Sequence, residues 1–237
     1  MVLRPRRRRR RDEQFPVLYL NDGQNLFDPS RAFGGVTWNV HETVARLVRR
    51  RAIPPLIVVG IDHGEARRNR EYLPVEDDRN PDAREPLGRQ YAAFVVRELM
   101  PFIERTYPVA RGAANTGFGG SSYGAIAALY TSLVYPGVFG RLLLESPSLY
   151  VGNRYLLRRA RSAARWPARI YLGVGTAETM RADWNEETVA NVLDLAAILR
   201  HAGLGLRRLK VVVEEGALHS ESAWARRLSK ALGFLFG

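Results

Sequence analysis

The sequence predicts one α/β domain built on a doubly wound, mostly parallel sheet with helices on both faces. Three observations carry this. Apolar runs alternate with amphipathic stretches along nearly the whole chain, as in successive β-α-β units. One run, Leu56-Ile57-Val58-Val59-Gly60-Ile61, is continuously apolar, which suits a parallel strand covered on both faces. Glycines crowd one strand-to-helix junction, Gly120-Ser121-Ser122-Tyr123-Gly124. Length agrees: 237 residues, 46% of them hydrophobic, bury one core well and two poorly.

The elements follow in order. Residues 16–20 read as a buried strand, closed by the turn Asp22-Gly23-Gln24-Asn25. Val40, Val44, Leu47 and Val48 repeat at helical spacing over 38–50, and the strand at 56–61 comes next. Residues 62–86 are polar and rich in Arg, Asp and Pro, and read as a long loop of functional kind. Tyr91, Phe94, Val95, Leu99, Phe102 and Ile103 mark a helix over 88–106, with a kink expected at Pro101. A strand before Ser122, a helix over 123–135 and a strand over 141–145 follow, then a short basic helix near 154–165. Strand 169–174, helix 185–202, strand 209–213 and helix 221–235 complete the pattern. The loop 62–86 and the helix near 154–165 are the expected pocket walls.

Composition removes several classes of chemistry. There is no cysteine, so a disulfide framework, a thiolate metal site and a cysteine nucleophile are excluded. No apolar stretch approaches the length of a membrane span. The net charge is +12, and Arg4 with Arg6 through Arg11 supplies seven of those charges. Only Lys210 and Lys230 are lysines, so the basic excess is an arginine bias. Residues 1–14 are expected to be a basic, disordered arm, and 15–237 the single domain. Without interleaved aromatics the arm predicts only non-specific attraction to nucleic acid. The expected location is the cytoplasm, with a removed leader left open.

Ser122 is the candidate nucleophile. Strand, Gly-x-Ser-x-Gly, helix is the order of the nucleophile elbow of α/β-hydrolases, where only small residues fit two positions either side of the serine. Ser121 lacks that setting, because its partners two residues away are Gly119 and Tyr123. The elbow requires an acid and a histidine later in the chain, each just past a strand. Of the four histidines only His201 and His219 lie beyond Ser122. His201 falls at a helix C-terminus, where it complements the dipole. His219 lies in the loop past the last strand and is the candidate base. Glu178 is the first carboxylate past the strand at 169–174, with Asp183 the alternative acid. Either could instead be a charge near a helix N-terminus. The backbone N–H groups of Tyr123 and Gln24 are the candidate oxyanion hole, Gly23 permitting the close turn that aims Gln24. An ordinary turn would read the same way at 22–24.

These segments resemble the putative-esterase family of α/β-hydrolases, which includes enterochelin-type and feruloyl esterases, S-formylglutathione hydrolases and mycolyltransferases. The matching residues are Pro16 through Phe27, Arg70 through Pro74, Gly120 through Gly124, Ser146-Pro147-Ser148, Gly175 through Glu178, and His219-Ser220-Glu221. The resemblance runs from about Phe15 to the C-terminus. It implies triad roles for Ser122, His219 and Glu178, with Gln24 and Tyr123 as the oxyanion hole. It also implies a serine carboxylesterase acting on a small-molecule ester, without metal or organic cofactor. Acyl transfer to an alcohol, and a non-catalytic binding role, are the alternatives. One departure stands out. Members usually carry further strands before the one at 16–20, and here that edge is expected to be shortened or missing, or the chain start not the natural one. A bare edge could pair with a second copy, giving a homodimer.

Overall fold

A computed structural model describes residues 1–5 and 13–237. Its sheet has seven strands in the order β1-β3-β2-β4-β5-β6-β7. They are β1 (Val2–Leu3), β2 (Val17–Asn21), β3 (Ile57–Ile61), β4 (Thr116–Ser121), β5 (Arg141–Glu145), β6 (Arg169–Gly175) and β7 (Leu209–Glu214). Every neighbouring pair is parallel except β1 with β3. The doubly wound parallel sheet expected from the sequence is the one observed.

Alternation along the strands divides the core. Val17 and Tyr19 face the same side as Ile57, Phe118 and Leu142, under α4 (Gly88–Phe94), α5 (Met100–Thr106), α6 (Tyr123–Val134), α7 (Val151–Arg161) and α8 (Ala182–His201). Leu18 and Leu20 face the other side, with Leu143 and Tyr171, under α2 (Val40–Arg49) and α9 (Glu221–Phe236). Side chains of period two on strands meeting helical stripes of period 3.6 is what the sequence pattern dictates.

Three expectations need correction. First, the start of the chain is not an arm throughout. Val2 and Leu3 pair antiparallel with Val59 and Val58, and Met1 exchanges backbone bonds of 2.8 and 2.9 Å with Gly60. The two-residue β1 gives that edge the shortened strand expected there; Arg6 through Arg11 lie outside the described residues. Second, the stretch 62–86 is not an open loop. It folds into a turn of 3₁₀ helix at Glu65–Arg67, α3 (Arg68–Tyr72) and a second 3₁₀ turn at Pro81–Ala83. Third, Pro101 does not simply kink its helix. A π turn over Val95–Leu99 precedes it, and Met100 N–H reaches back to Val95 C=O. The wider turn absorbs the bond and the space that a proline ring denies to an ordinary helix.

One buried charge pair ties α9 to the sheet. Arg227 Nε donates to Glu145 Oε2 at 2.8 Å, and its Nη1 to Glu214 Oε2 at 2.7 Å. Burial pushes the Glu145 carboxyl up to about 8, with Arg227 pulling against it. Removing Arg227 leaves the buried Glu145 carboxyl without its hydrogen-bond partner and Glu214 without one of its ion pairs, and costs about 3–5 kcal/mol. Arg227→Met is therefore expected to lower the melting temperature by roughly 10 °C, while the double change Glu145→Leu, Arg227→Met recovers most of it. Thermal unfolding followed by circular dichroism checks this, and an unshifted single variant contradicts it.

Candidate active site

In this sheet the chain runs from β2 to β3 on one side, then crosses over to β4 on the other. The carboxyl ends of β2 and β4 therefore flank the switch in strand order, where open α/β sheets bind their ligands. The turn after β2 carries Gln24, and the turn after β4 carries Ser122.

Ser122 sits between the last residue of β4 and the first of α6 with φ 54° and ψ −126°. A non-glycine residue held there stores about 1–3 kcal/mol of strain. The surroundings enforce it. A Cβ on Gly120 would lie 2.9 Å from the Gly124 carbonyl carbon, and one on Gly124 would lie 2.8 Å from Asp22 Oδ2. Asn21 Nδ2 donates to Gly124 C=O at 2.6 Å and Asn21 Oδ1 accepts from Tyr91 OH at 2.5 Å, clamping the first turn of α6 to the end of β2. Ser122 N–H donates to Glu145 C=O at 2.9 Å. Ser121, by contrast, is buried in the strand.

His219 Nδ1 and Glu178 Oε2 are 2.5 Å apart. The other oxygen, Glu178 Oε1, accepts from Ser146 OH and from Gly175 N–H, both at 2.6 Å. Burial pushes the Glu178 carboxyl up, but the bonds from His219, Ser146 and Gly175 outweigh it, so it is held below the usual carboxylate range. It is an ionised acceptor at neutral pH. Trp224 completes the support: its Nε1–H donates to Ser146 Oγ at 2.9 Å, and its ring meets the imidazole edge-on, centroids 5.0 Å apart. Asp183, the alternative acid, is elsewhere; it is exposed and paired with Arg181 at 2.7 Å. His201 ends α8. Ser146 and Trp224 had no role in the sequence reading. The one hint was Ser146-Pro147-Ser148 among the matching segments.

Ser122 and His219 line one cavity of about 250 Å³. The Ser122 hydroxyl lies 3.4 Å from Ser148 Oγ, and among the described residues no hydrogen bond joins it to His219. Tyr150, Trp184 and Arg79 also line the cavity. The Arg79 guanidinium lies 4.4 Å from the centroid of Tyr150 and 5.1 Å from that of Trp184, and Glu187 holds it by bonds of 2.7 and 2.9 Å. So the excursion 62–86 does wall the pocket, through Arg79. The second expected wall is replaced: α7 contributes no lining residue, and Trp184 and Thr188 of α8 stand there instead. Among the described residues no cluster of three or more His, Asp or Glu could hold a metal ion, and no helix is long and apolar enough to cross a membrane.

Gln24 and Tyr123 are the first residues of α1 (Gln24–Phe27) and α6, positions whose N–H groups have no helical acceptor. Neither N–H has a protein partner among the described residues. The turn before Gln24 differs from expectation in one respect. Its positive φ, 56°, falls on Asp22, while Gly23 has φ −53°. Gly23 is needed for closeness: a Cβ there would lie 2.4 Å from Asp62 Oδ1 and 2.8 Å from the Gly60 carbonyl carbon. Side chains stake the turn on either side. Asp22 takes bonds of 2.6 and 3.0 Å from Arg68, and Gln24 exchanges 3.0 and 3.2 Å bonds with the backbone of His63.

Comparison with known proteins places the chain in a family. The family model described as "Putative esterase" matches residues 1–235, and the chain belongs to that family. An uncharacterized protein of Bacillus subtilis strain 168, YbbA, is 24% identical over 228 residues, covering 94% of this chain and 86% of that protein. The crystal structure of the BES protein from Bacillus cereus superimposes with a TM-score of 0.76 at 22% identity, covering 100% of this chain and 88% of that one. The enterobactin esterase FES from Shigella flexneri, solved in the presence of enterobactin, gives a TM-score of 0.71 at 24% identity. That match covers 94% of this chain but 51% of FES, so the chain spans about half its length. The fold is that of the α/β-hydrolase esterases, and the protein is a carboxylic ester hydrolase.

Gly23→Val drives a side chain into the end of β3 and displaces the Gln24 N–H. It is expected to lower kcat on nitrophenyl acetate at least about tenfold, as loss of an aimed donor does, with a smaller change in KM. A variant with unchanged kcat separates that turn from the chemistry.

Proposed function

We propose that this esterase is a serine carboxylesterase working through an acyl-enzyme on Ser122, with His219 as general base and Glu178 as its partner. The pairing of a buried, ionised Glu178 with His219 Nδ1, beside a serine on a strained elbow in the same cavity, supports the reading most directly. Glu178 fixes the imidazole so that Nε2 is left to accept the Ser122 proton, and it stabilises the imidazolium that forms. The hydroxyl attacks the ester carbonyl. Negative charge then gathers on the carbonyl oxygen, where the N–H groups of Gln24 and Tyr123 are available to receive it. Collapse expels the alcohol with a proton from His219, and water releases the acid by the same steps. A serine and histidine not yet bonded in the absence of substrate are common in such sites, which tighten in the complex.

The cavity bears on substrate size. At about 250 Å³ it is smaller than most pockets for drug-sized ligands, which begin near 300 Å³. A short acyl group is therefore favoured.

Ser122→Ala is expected to abolish hydrolysis, by about 10⁴-fold or more, and to end labelling by a fluorophosphonate probe, while Ser121→Ala keeps most activity. His219→Ala should match Ser122→Ala, because members of a triad act as a unit. Glu178→Gln loses at least about a hundredfold and Asp183→Asn less than about twofold. The reverse order within either pair would replace the residue assigned here.

On nitrophenyl esters of increasing length, kcat/KM is expected to be highest for acetate or butyrate and at least about tenfold lower for octanoate, since each ill-fitting methylene costs about 1–3 kcal/mol. A profile that rises toward octanoate contradicts the pocket assignment.

A further inference from the structure

Helix α9 begins two residues after His219, and its first residue reaches back to the turn that holds Gln24. Asn25 Nδ2 donates to Glu221 Oε1 at 3.0 Å, across 196 residues of chain. Both ends are fixed. Asn25 Oδ1 accepts from Phe33 N–H at 3.0 Å, its carbonyl accepts from Trp38 N–H at 2.9 Å, and its N–H donates to Asp22 C=O at 2.9 Å. Glu221 follows the N-cap Ser220, whose hydroxyl accepts from Ala223 N–H. Burial pushes the Glu221 carboxyl up, and the charges that bear on it belong to Asp22, His219 and Arg68.

We propose that Glu221 is a positioning residue which, through Asn25, sets the distance between the Gln24 N–H and the His219 imidazole. The proposal rests on the roles given above to Ser122, His219 and Gln24. Its physical basis is that α1 is a single turn of four residues. So short a helix has no stability of its own, so its place comes from what its side chains hold. Asp22 and Gln24 are tied to Arg68 and His63, which fixes the turn against the end of β3 and the excursion after it. Neither tie reaches the segment that carries the base. Among the described residues, the Asn25–Glu221 bond is the only hydrogen bond between residues 21–27 and 214–237. An oxyanion donor acts only when aimed within a few tenths of an ångström, and a displacement of about 1 Å can cost a hundredfold. The tie therefore acts in the transition state more than in substrate binding.

The test is a double-mutant cycle on the full chain: wild type, Asn25→Ala, Glu221→Ala and the double variant. It is read by steady-state hydrolysis of nitrophenyl acetate, inhibition by a trifluoromethyl ketone that forms a tetrahedral adduct, and thermal melting. Each single change is expected to lower kcat about 10- to 100-fold with KM within about threefold, and to weaken the ketone in proportion to kcat/KM. The double variant should be no more than about threefold below the worse single, because the bridge is lost in each, Asn25→Ala losing the bond from Phe33 N–H besides. Glu221→Gln keeps an oxygen acceptor and should recover to within about tenfold of wild type. Should Glu221→Ala fail to fold, Asn25→Ser, too short to reach Glu221, carries the same measurement. Unchanged kcat, multiplicative losses in the double variant, or losses confined to KM or to melting temperature overturn the proposal. Ser122→Ala is run alongside: if it retains turnover, the underlying reading fails, whereas a dead Ser122→Ala with an active Glu221→Ala rejects the bridge alone.

Discussion

The close crossing of two chain segments at the switch in strand order is the constraint on which the rest depends. β2 and β4 lie side by side, and the turn out of each must pass the other within van der Waals distance. Gly124 admits Asp22, Gly120 admits the first turn of α6, and Gly23 admits the end of β3. No side chain fits at those places. The same crowding holds Ser122 in a conformation that an isolated peptide would leave. The strain of about 1–3 kcal/mol is offset locally by the Asn21 clamp on Gly124 and by the Ser122 N–H bond to Glu145. Packing makes the placement of the Ser122 hydroxyl a consequence of the fold rather than an addition to it.

Helix α9 brings the remaining groups to that crossing. Glu221, Trp224 and Arg227 recur every three residues, so they lie along one side of its first two turns. Each reaches a different part of the site's support: Glu221 the turn at Asn25, Trp224 the serine that holds Glu178, Arg227 the carboxylate of the residue before that serine. Because these contacts share a rigid helix, Glu178, His219 and the turn holding Gln24 are referred to one frame. A buried ion pair such as Glu145–Arg227 adds little net stability over an apolar pair. Its directional bonds do fix how α9 lies on the sheet, and a purely apolar contact fixes that less closely.

Much of this was legible in the sequence, for a physical reason. Strand and helix periods are local, so the order of elements and their faces could be read from Val17 through Phe236. The elbow is also local, because glycine at Gly120 and Gly124 reports the crowding directly. His219 and Glu178 were singled out by their places past strands, and the structure sets the two side chains 2.5 Å apart. What escaped notice was encoded across distance. Ser146 and Trp224 are 78 residues apart, and nothing in either neighbourhood announces the partner. The two-residue strand Val2–Leu3 was masked by the arginines beside it, since its pairing depends on the β3 edge rather than on its own pattern. At Gly23 the residue was read as a turn former, whereas the need is for room against Asp62, which only the tertiary structure supplies.

The pocket wall is built by different rules from the elbow at Ser122. Around Ser122 and Glu178 the ties are buried, short and directed. The wall formed by Arg79 and α8 is held by an ion pair whose side chains are 37% and 34% exposed. A pair so open to water contributes about 0–1 kcal/mol, and the stacking of Arg79 on Tyr150 and Trp184 adds about as much again. Substitutions in that wall therefore cost little in folding while changing the shape that a substrate meets. Substitutions in the crossing cost packing and geometry together. Arg79 and α8 lie on one side of this divide, and the elbow, with His63 and Arg68 that stake the turn at Gln24, lies on the other. The fold thus lets the shape of the pocket vary without disturbing the arrangement of Ser122, His219 and Glu178.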